Sequence, residues 1–412
     1  MGGGLLQLVA YGAQDAYLSG NPQITFWRGL FKRHTNFAME PFRVNMTGQA
    51  AWGTKHSAIL GRHADLVSSA YIEVELKSDN VDAELIYDHG NSSTRSGFNL
   101  IEYAELDIGG QVIDRQYGEF LYLWSRLTLT SEARSKLDDM FFTFLESNAT
   151  CAPSGRPVRK NLTYIPLMFF FCRNPGAALP LIALQYHEVK INVLWNKVGL
   201  IFKESLTDNS GPGQANLLVD YVYLDVEERR RMAQESHEYL IEQTQYNEDK
   251  GLTSAQNRVD LTFNHPVKEL IWVTQKTAKR NCRISQGGPN PNTVDPFSYD
   301  KIIYDCALQL NGQDRVPSLP GNYYNYVQPF QHHSGVGEDA IYCYSFAIKP
   351  EEHQPSGTCN FSRIDTATLV FSVDGEFPIS NTDNQNYDIR VYAINYNILR
   401  VMSGMGGLAY SN

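Results

Sequence analysis

Residues 106–111 read LDIGGQ and residues 308–313 read LQLNGQ, a similar pattern 202 positions further along the chain. Each segment ends in a two-residue turn, Gly109-Gly110 in the first and Asn311-Gly312 in the second. Such pairs supply the positive φ that a type I′ hairpin turn requires, and a hairpin joins neighbouring antiparallel strands. The two segments therefore predict a pair of equivalent antiparallel hairpins.

Further segments match one another in the same order along the chain. They are 34–40 (HTNFAME) with 237–243 (HEYLIEQ), Asp114-Arg115 with Asp314-Arg315, 165–170 with 341–346, 191–195 with 367–371, and Tyr223 and Arg231 with Tyr392 and Arg400. The offset shrinks from 203 residues in the first of these pairs to 169 in the last. A duplicated unit that later lost loop residues gives this order, so the repeat predicts two copies of one β-sandwich.

Short runs rich in β-branched and aromatic residues predict two similar sets of strands. The first set is expected at 35–47, 69–77, 100–108, 111–115, 164–172, 181–195 and 217–225. The second set is expected at 238–246, 259–264, 268–274, 302–310, 340–348, 365–373 and 387–396. The fold class is therefore all-β with antiparallel sheets.

Helical spacing of apolar residues interrupts the strands in a few places. Helices are predicted at 5–18, at Tyr117–Leu127 running into an N-cap at Ser131 and on to Phe144, and at Val226–Ala233. The amphipathic helix of the middle segment is expected to pack on the flank of a sandwich. The basic run within Val226–Ala233 is expected to form ion pairs three or four residues apart. We predict an N-terminal arm at 1–24, a first sandwich at 25–225, a linker helix at 226–236, and a second sandwich with a C-terminal tail at 237–412.

Composition excludes several classes of protein. The 412 residues are 42 % hydrophobic and 19 % charged, which is enough apolar material for substantial cores. A net charge of −10 gives no cationic surface for phosphates, so direct binding of nucleic acid is not expected. The six cysteines show no CxxC pair, and free thiols are expected. We find no signal-peptide pattern and no apolar run near the ~20 residues of a membrane helix, so we expect a soluble protein.

No catalytic motif of the HExxH, GxSxG or phosphate-loop type is present, and Gly48–Lys55 is interpreted as a turn at a strand edge. His187-Glu188 and the pair His332-His333 are the best metal or acid–base candidates, but neither has partners at ligand spacing, which favours structural or surface histidines. We therefore predict no enzyme activity, no cofactor and no metal site. Sequons occur at Asn45, Asn91, Asn148, Asn161 and Asn360. Asn91, in a polar loop, is the one expected to be accessible to a glycan.

Long collinear stretches resemble the major capsid proteins of nucleocytoplasmic large DNA viruses, closest to those of phycodnaviruses such as chlorella viruses. The stretches are 8–27, 32–42 (KRHTNFAMEPF), 175–191, 237–243, 308–315, 344–365 and 396–410 (YNILRVMSGMGGLAY). The departures lie mainly in 78–97 and 275–300. The resemblance implies a tandem double jelly roll, that is, two eight-stranded antiparallel β-sandwiches with a few short flanking helices.

The resemblance also implies a function in a virus shell. Three copies would form a pseudo-hexagonal capsomer that tiles the icosahedral shell of a large double-stranded DNA virus. The expected partners are neighbouring capsomers, minor capsid proteins and, through the N-terminal arm, inner membrane-facing proteins. The protein would be assembled in the host cytoplasm and reside in the virion. The alternatives are a minor capsid paralogue of the same fold and a lectin-like tandem jelly roll that binds carbohydrate.

Overall fold

The computed structural model describes most of the chain, and its contacts divide the chain into the units Met1–Phe37 and Ala38–Asn412. The described residues are 2–27, 29, 31–48, 51–76, 97–141, 162–197, 211–252, 254–277, 297–335, 337–338, 340–374 and 386–411. The first unit holds helices α1 (Gly3–Val9) and α2 (Asp15–Ser19). The single helix predicted at 5–18 is therefore two short ones, and Asp15 accepts a hydrogen bond from the backbone of Gly12 between them.

Ten strands from the first part of the chain form two antiparallel sheets. They are β1 (Phe37–Asn45), β2 (Thr47–Gly48), β3 (Lys55–Ile59), β4 (Leu66–Leu76), β5 (Ile101–Ile108), β6 (Gln111–Tyr117), β7 (Leu162–Pro166), β8 (Leu179–Pro180), β9 (Val189–Trp195) and β10 (Pro212–Leu224). One sheet has the order β1-β10-β4-β7, with β8 also on β4, and the other has the order β2-β3-β9-β5-β6. We call this pair of sheets the N-terminal sandwich.

Ten more strands from the last part of the chain form a second pair of sheets. They are β11 (His237–Leu252), β12 (Gln256–Asp260), β13 (Pro266–Lys276), β14 (Ile303–Leu310), β15 (Gln313–Pro320), β16 (Ile341–Ser345), β17 (Cys359–Asn360), β18 (Ala367–Val373), β19 (Tyr387–Met402) and β20 (Met405–Leu408). One sheet has the order β11-β19-β13-β16, with β17 on β13 and β20 on β19, and the other has the order β12-β18-β14-β15. We call this pair the C-terminal sandwich.

The two sandwiches have the same strand order. Replacing β1, β10, β4 and β7 by β11, β19, β13 and β16 gives the first sheet of the second copy, and β3, β9, β5 and β6 correspond likewise to β12, β18, β14 and β15. Each copy thus has eight principal strands in the arrangement of a jelly roll. The predicted tandem double jelly roll is confirmed, and the segments 106–111 and 308–313 occupy equivalent hairpins, β5–β6 and β14–β15.

Short helices connect the strands. They are α3 (Gly118–Thr128), α4 (Ser131–Met140), α5 (Phe170–Arg173), α6 (Val226–Gln234) and α7 (Gln328–His332), with 3₁₀ turns at Pro175–Ala177 and Phe361–Arg363 and a π turn at Tyr323–Val327. The N-cap of α4 is Thr130 rather than the predicted Ser131, because the Thr130 hydroxyl accepts a hydrogen bond from the backbone of Ala133. None of the described helices has the length and apolar character needed to cross a membrane.

Two predicted strands are wrong in part. The run expected at 164–172 leaves the sheet at Pro166 and continues as α5, because an apolar run alone does not distinguish a strand from a buried helix. The run expected at 181–195 is a strand only from Val189, and residues before it form turns. The C-terminal GMGG segment, expected to be a tail or packing element, forms β20 against β19.

Besides the two-residue strands β8 and β17, the prediction missed β15 and β3, whose residues lack the usual signals. β15 contains Pro317 and Pro320, which argue against a strand, yet it lies at a sheet edge where a missing donor breaks no ladder. β3 is largely polar, and only His56 and Ala58 point into the core.

A second pair of glycines supports the repeat. Gly118 follows β6 and Gly321 follows β15, and each begins a helical segment against the preceding hairpin. A Cβ atom at Gly118 would lie 2.4 Å from the backbone oxygen of Ile101, and one at Gly321 would lie 2.3 Å from that of Ile303. Both copies therefore need a residue without a side chain at this point.

We predict that Gly118→Ala and Gly321→Ala each lower the free energy of unfolding by about 2 kcal/mol, because the added methyl group meets backbone that cannot turn away. Denaturant unfolding would measure the loss. Gly4→Ala is the control, because a Cβ there has nothing within 4 Å and should leave stability unchanged or raise it. Equal stabilities of all three variants would contradict the close approach.

Candidate functional site at the interface between the two sandwiches

Helix α3 is buried on every side. Its residues Phe120, Leu121, Tyr122, Leu123 and Leu127 are completely inaccessible to solvent, so the helix lies inside a core and not, as expected from the sequence, on a sandwich flank. One continuous hydrophobic cluster joins these side chains to residues of the C-terminal sandwich, namely Ile241, Ile271, Ile341, Tyr392 and Ile394. The two sandwiches therefore share a core, with α3 in it.

The sheet β11-β19-β13-β16 is covered on both faces. In β13, Ile271 and Val273 belong to the shared core, whereas Leu270 and Trp272 face the interior of the C-terminal sandwich. This alternation explains why β13 is almost entirely buried, so that its polar residues Lys268, Glu269, Thr274 and Gln275 are enclosed as well.

A buried ion pair joins α3 to this sheet. Arg390 donates to both oxygens of Glu119, with distances of 2.7 Å from Nε and 2.6 Å from Nη2. The Tyr392 hydroxyl also donates to Glu119, at 2.6 Å, and Gln275 accepts from Arg390 at 2.9 Å. Burial alone would lower the pKa of Arg390, but the Glu119 carboxylate outweighs it and raises the pKa above its ordinary value. The pair is bidentate and charged, which fixes the orientation of the two elements.

A second cluster of charges surrounds Trp124 of α3. Glu242 of β11 pairs with Lys268 at 2.7 Å and with Arg173 of α5. The Arg173 guanidinium lies 4.9 Å from the centre of the Trp124 ring, and the Lys268 ammonium lies 5.8 Å from it. Burial raises the pKa of Glu242, but the two cations outweigh it and hold the pKa below its usual value. For Lys268, burial disfavours the charged ammonium and lowers the pKa below its usual value.

The hairpin β5–β6 contributes a third contact. The Asp114 carboxylate accepts from the backbone of Thr244 at 2.8 Å, and the Gln243 side chain donates to the carbonyl of Ile113. Asp114 is fully buried, and burial raises its pKa to about 6 although Thr244, Arg173 and Gln116 favour the charged form.

The segment after α7 docks on the end of α3. Gly335 donates its backbone N–H to the carbonyl of Leu127 at 2.8 Å, and Arg126 pairs with Glu338 at 3.2 Å. Tyr122 also donates to Glu338, at 2.5 Å. Each contact crosses from the N-terminal to the C-terminal sandwich.

The histidines singled out in the sequence have different surroundings. His187 Nδ1 lies 3.0 Å from the carbonyl oxygen of Gly406, and Glu188 pairs with Lys190, so neither joins a site. His332 Nδ1 lies 3.0 Å from the carbonyl oxygen of Ile348. Asn91, together with Asn148 and Asn161, lies outside the described residues, whereas Asn45 and Asn360 are exposed.

His333 is buried and has acidic neighbours on both ring nitrogens. Its Nε2 lies 2.5 Å from Glu269, and its Nδ1 lies 3.1 Å from Glu351. The Cys343 thiol also contacts the ring, and Trp124 meets it edge-on at 6.1 Å. Burial opposes charge on the ring, but Glu269 outweighs it and raises the pKa of His333 above its usual value. Sequence spacing missed this group because its members come from β13, β16 and two loops.

A cleft of about 490 Å³ opens beside the Glu119–Arg390 pair. Tyrosines from both sandwiches line it, including Tyr103, Tyr117 and Tyr246. Its walls also carry charges of both signs, such as Arg115 and Glu248. Its size and aromatic lining are those of a small-ligand pocket.

Comparisons with known proteins agree with this architecture. Residues 25–225 match the sequence profile "Major capsid protein N-terminus", and residues 228–407 match "Large eukaryotic DNA virus major capsid protein". The major capsid protein of Pyramimonas orientalis virus is 44 % identical, over 100 % of both chains.

The chain belongs to the major capsid protein family of large eukaryotic DNA viruses. The major capsid protein of Paramecium bursaria Chlorella virus 1 is 39 % identical over the full length of both chains. A chain of the PBCV-1 virus capsid, in a quasi-atomic structure, superposes with a TM-score of 0.76 at 34 % identity, covering 94 % of this chain and 100 % of that one. The resemblance to this family seen in the sequence is confirmed.

In this chain, the interface around α3 joins the two jelly rolls through a shared core, and the Glu119–Arg390 pair should fix much of their relative orientation. We predict that Glu119→Gln or Arg390→Gln alone lowers the free energy of unfolding by about 3–5 kcal/mol, because each leaves a buried charge without its partner. Denaturant unfolding of both single variants and of the double variant would measure the coupling.

The double variant should lose less than the two single losses together. The matched control is Arg400→Gln, because Arg400 lies on the same strand and pairs with Glu238 at 2.8 Å on the exposed surface. Its loss should be at most about 1 kcal/mol. Additive losses at Glu119 and Arg390 would show that the pair does not couple the sandwiches.

Protonation of Asp114 should make the stability of the folded protein depend on pH. Its pKa of about 6 in the folded protein lies above its ordinary value of 3.8, so the folded protein binds this proton more tightly than the unfolded chain does. We predict that the wild type gains stability relative to Asp114→Asn as the pH falls from 7 through 6 towards 4. Thermal unfolding across this range would measure it, with Asp314→Asn, at the exposed equivalent position of the repeat, as control. A constant difference between wild type and Asp114→Asn would refute the assignment.

Proposed function

We propose that three copies of this chain form a capsomer with pseudo-sixfold symmetry that tiles the icosahedral shell of a large double-stranded DNA virus. The proposal rests on the identical strand order of the two sandwiches and on the hydrophobic core that they share around α3. Three copies of a body with two similar sandwiches place six similar wedges around one axis. Such an object meets six neighbours through nearly equivalent contacts.

Rigidity between the sandwiches supports this function. A loose connection would let the angle between two wedges vary, and the capsomer would lose its regular outline. Here the angle is set by a buried helix, a bidentate ion pair and hydrogen bonds to Thr244 and Leu127. We further propose that the sandwiches correspond to domains at 25–225 and 237–412, with the arm at 1–24 and the linker helix at 226–236.

The N-terminal arm is proposed to contact other capsid components. Large apolar side chains of the arm are exposed, among them Leu8 at 78 % and the adjacent Tyr17 at 91 % and Leu18 at 88 %. Contiguous exposed apolar residues are typical of segments that bind a partner. The proposed partners are neighbouring capsomers, minor capsid proteins and inner membrane-facing proteins, without direct contact to nucleic acid.

Three further properties are proposed for the chain: its lack of a catalytic role, its site of assembly and its glycan attachment site. We propose that the protein has no enzymatic role, that it is assembled in the host cytoplasm, and that Asn91 is a glycan attachment site. A minor capsid paralogue of the same fold is the second candidate within this class. The lectin-like alternative stays a prediction, and the tyrosine-lined cleft is the feature that would suit it.

We predict that the recombinant full-length chain is a trimer at micromolar concentration. Multi-angle light scattering should give about three times the chain mass of 46.6 kDa. A stable monomer or dimer would overturn the proposal. The copy number of the chain in purified particles, counted by quantitative mass spectrometry, then distinguishes the tiling subunit, with thousands of copies, from a minor paralogue.

A further inference from the structure

The group around His333 has a composition that the shell function does not require. Glu269 lies on β13, Cys343 lies on the neighbouring strand β16, and His333 follows α7. One potential ligand atom from each of the three residues lies within 4.8 Å of those of the other two. Glu269 and Cys343 are completely buried, and the His333 side chain is inaccessible as well.

These three side chains offer a carboxylate oxygen, a thiolate sulfur and an imidazole nitrogen, the donor set that Zn²⁺ uses in proteins. Glu351 supplies the support that such a site needs, because it pairs with His333 Nδ1 at 3.1 Å. A carboxylate on one ring nitrogen orients the ring and directs the other nitrogen towards a metal. Here that other nitrogen, Nε2, lies 2.5 Å from Glu269, and the Cys343 thiol also contacts the ring.

One atom of the group lacks a partner. Glu269 Oε2 is buried and makes no hydrogen bond within the part of the chain that the structure describes. A carboxylate oxygen left unsatisfied in the interior is costly, because it has lost its water without gaining a donor. A cation between Glu269, His333 and Cys343 would satisfy it.

We propose that Glu269, His333 and Cys343 bind a divalent transition-metal ion, Zn²⁺ foremost, and that Glu351 positions His333 for it. With three protein ligands, the fourth coordination position is left for water. The ion would pin the loop after α7 to β13 and β16, next to Trp124, and so reinforce the interface between the sandwiches.

Metal binding would leave the net charge of this group unchanged. Without metal, an imidazolium between two carboxylates and a neutral thiol carry a net charge of −1. With Zn²⁺, a neutral imidazole, a thiolate and the same two carboxylates also carry −1. Binding therefore replaces two protons, one from His333 and one from Cys343, by one divalent ion. The neighbouring Lys268, Arg173 and Glu242 need not rearrange.

The test is a titration of the metal-stripped, full-length protein with Co²⁺, followed by Zn²⁺. We expect about one Co²⁺ per chain, an absorption band from charge transfer between thiolate and Co²⁺, and loss of that band when Zn²⁺ displaces it. Zinc should also raise the melting temperature. Elemental analysis after dialysis against micromolar zinc gives the stoichiometry independently.

Cys343→Ser should abolish the thiolate band, and Glu351→Gln should weaken binding about 10-fold or more while keeping the band. Cys306→Ser is the matched control, because Cys306 is an equally buried free cysteine in the other core and should leave binding intact. If Cys343→Ser does not fold, the Co²⁺ spectrum of the wild type and the metal affinity of Glu351→Gln still test the proposal.

A wild-type protein that retains no metal and shows no thiolate band would overturn the proposal, and the group would then be a buried ion pair. A band that survives Cys343→Ser would overturn it too. The proposal does not depend on trimer formation, so a trimer that binds no metal refutes only the metal site.

Discussion

Burial of α3 between two sandwiches is the constraint on which the rest of the structure depends. Eight consecutive residues of this helix, Phe120–Leu127, are buried, and residues of both sandwiches belong to the hydrophobic cluster that encloses them. Glu119, in the first turn of this helix, is then withdrawn from water and needs a cation. Arg390 provides it in bidentate geometry, so that hydrophobic burial supplies the stability and the ion pair supplies the orientation.

The same constraint makes the two copies of the repeat different. In the N-terminal copy, the hairpin β5–β6 carries Asp114 into the shared core, where it accepts a hydrogen bond from Thr244. In the C-terminal copy, the equivalent Asp314 is exposed and pairs with Gln309 on the adjacent strand. The two sandwiches have the same fold but thus meet through different surfaces. Each copy of the hairpin therefore has different neighbours.

Charges in the interface are grouped so that each has a partner of opposite sign. Around Trp124, Lys268 and Arg173 surround Glu242, and the cations lie over the indole ring. Such clusters add less net stability than apolar packing, because each charge has lost its water, but they penalise any displaced arrangement strongly. This property suits a shell subunit, whose neighbours rely on a constant shape.

The sequence by itself determined the repeat, the all-β class and most strand positions, because turn residues, alternation and apolar runs are local signals. It also identified α3, α4 and α6 by their period. It did not identify β15, whose prolines are tolerated only at a sheet edge, or the helix α5, whose apolar run resembles a strand. Only the tertiary structure decided which residues meet across the interface. Glu119 and Arg390 are 271 positions apart in the sequence, and a local sequence pattern does not compare residues at such a distance. Likewise, His333, Glu269 and Cys343 come together only because β13 and β16 are neighbours in the folded sheet.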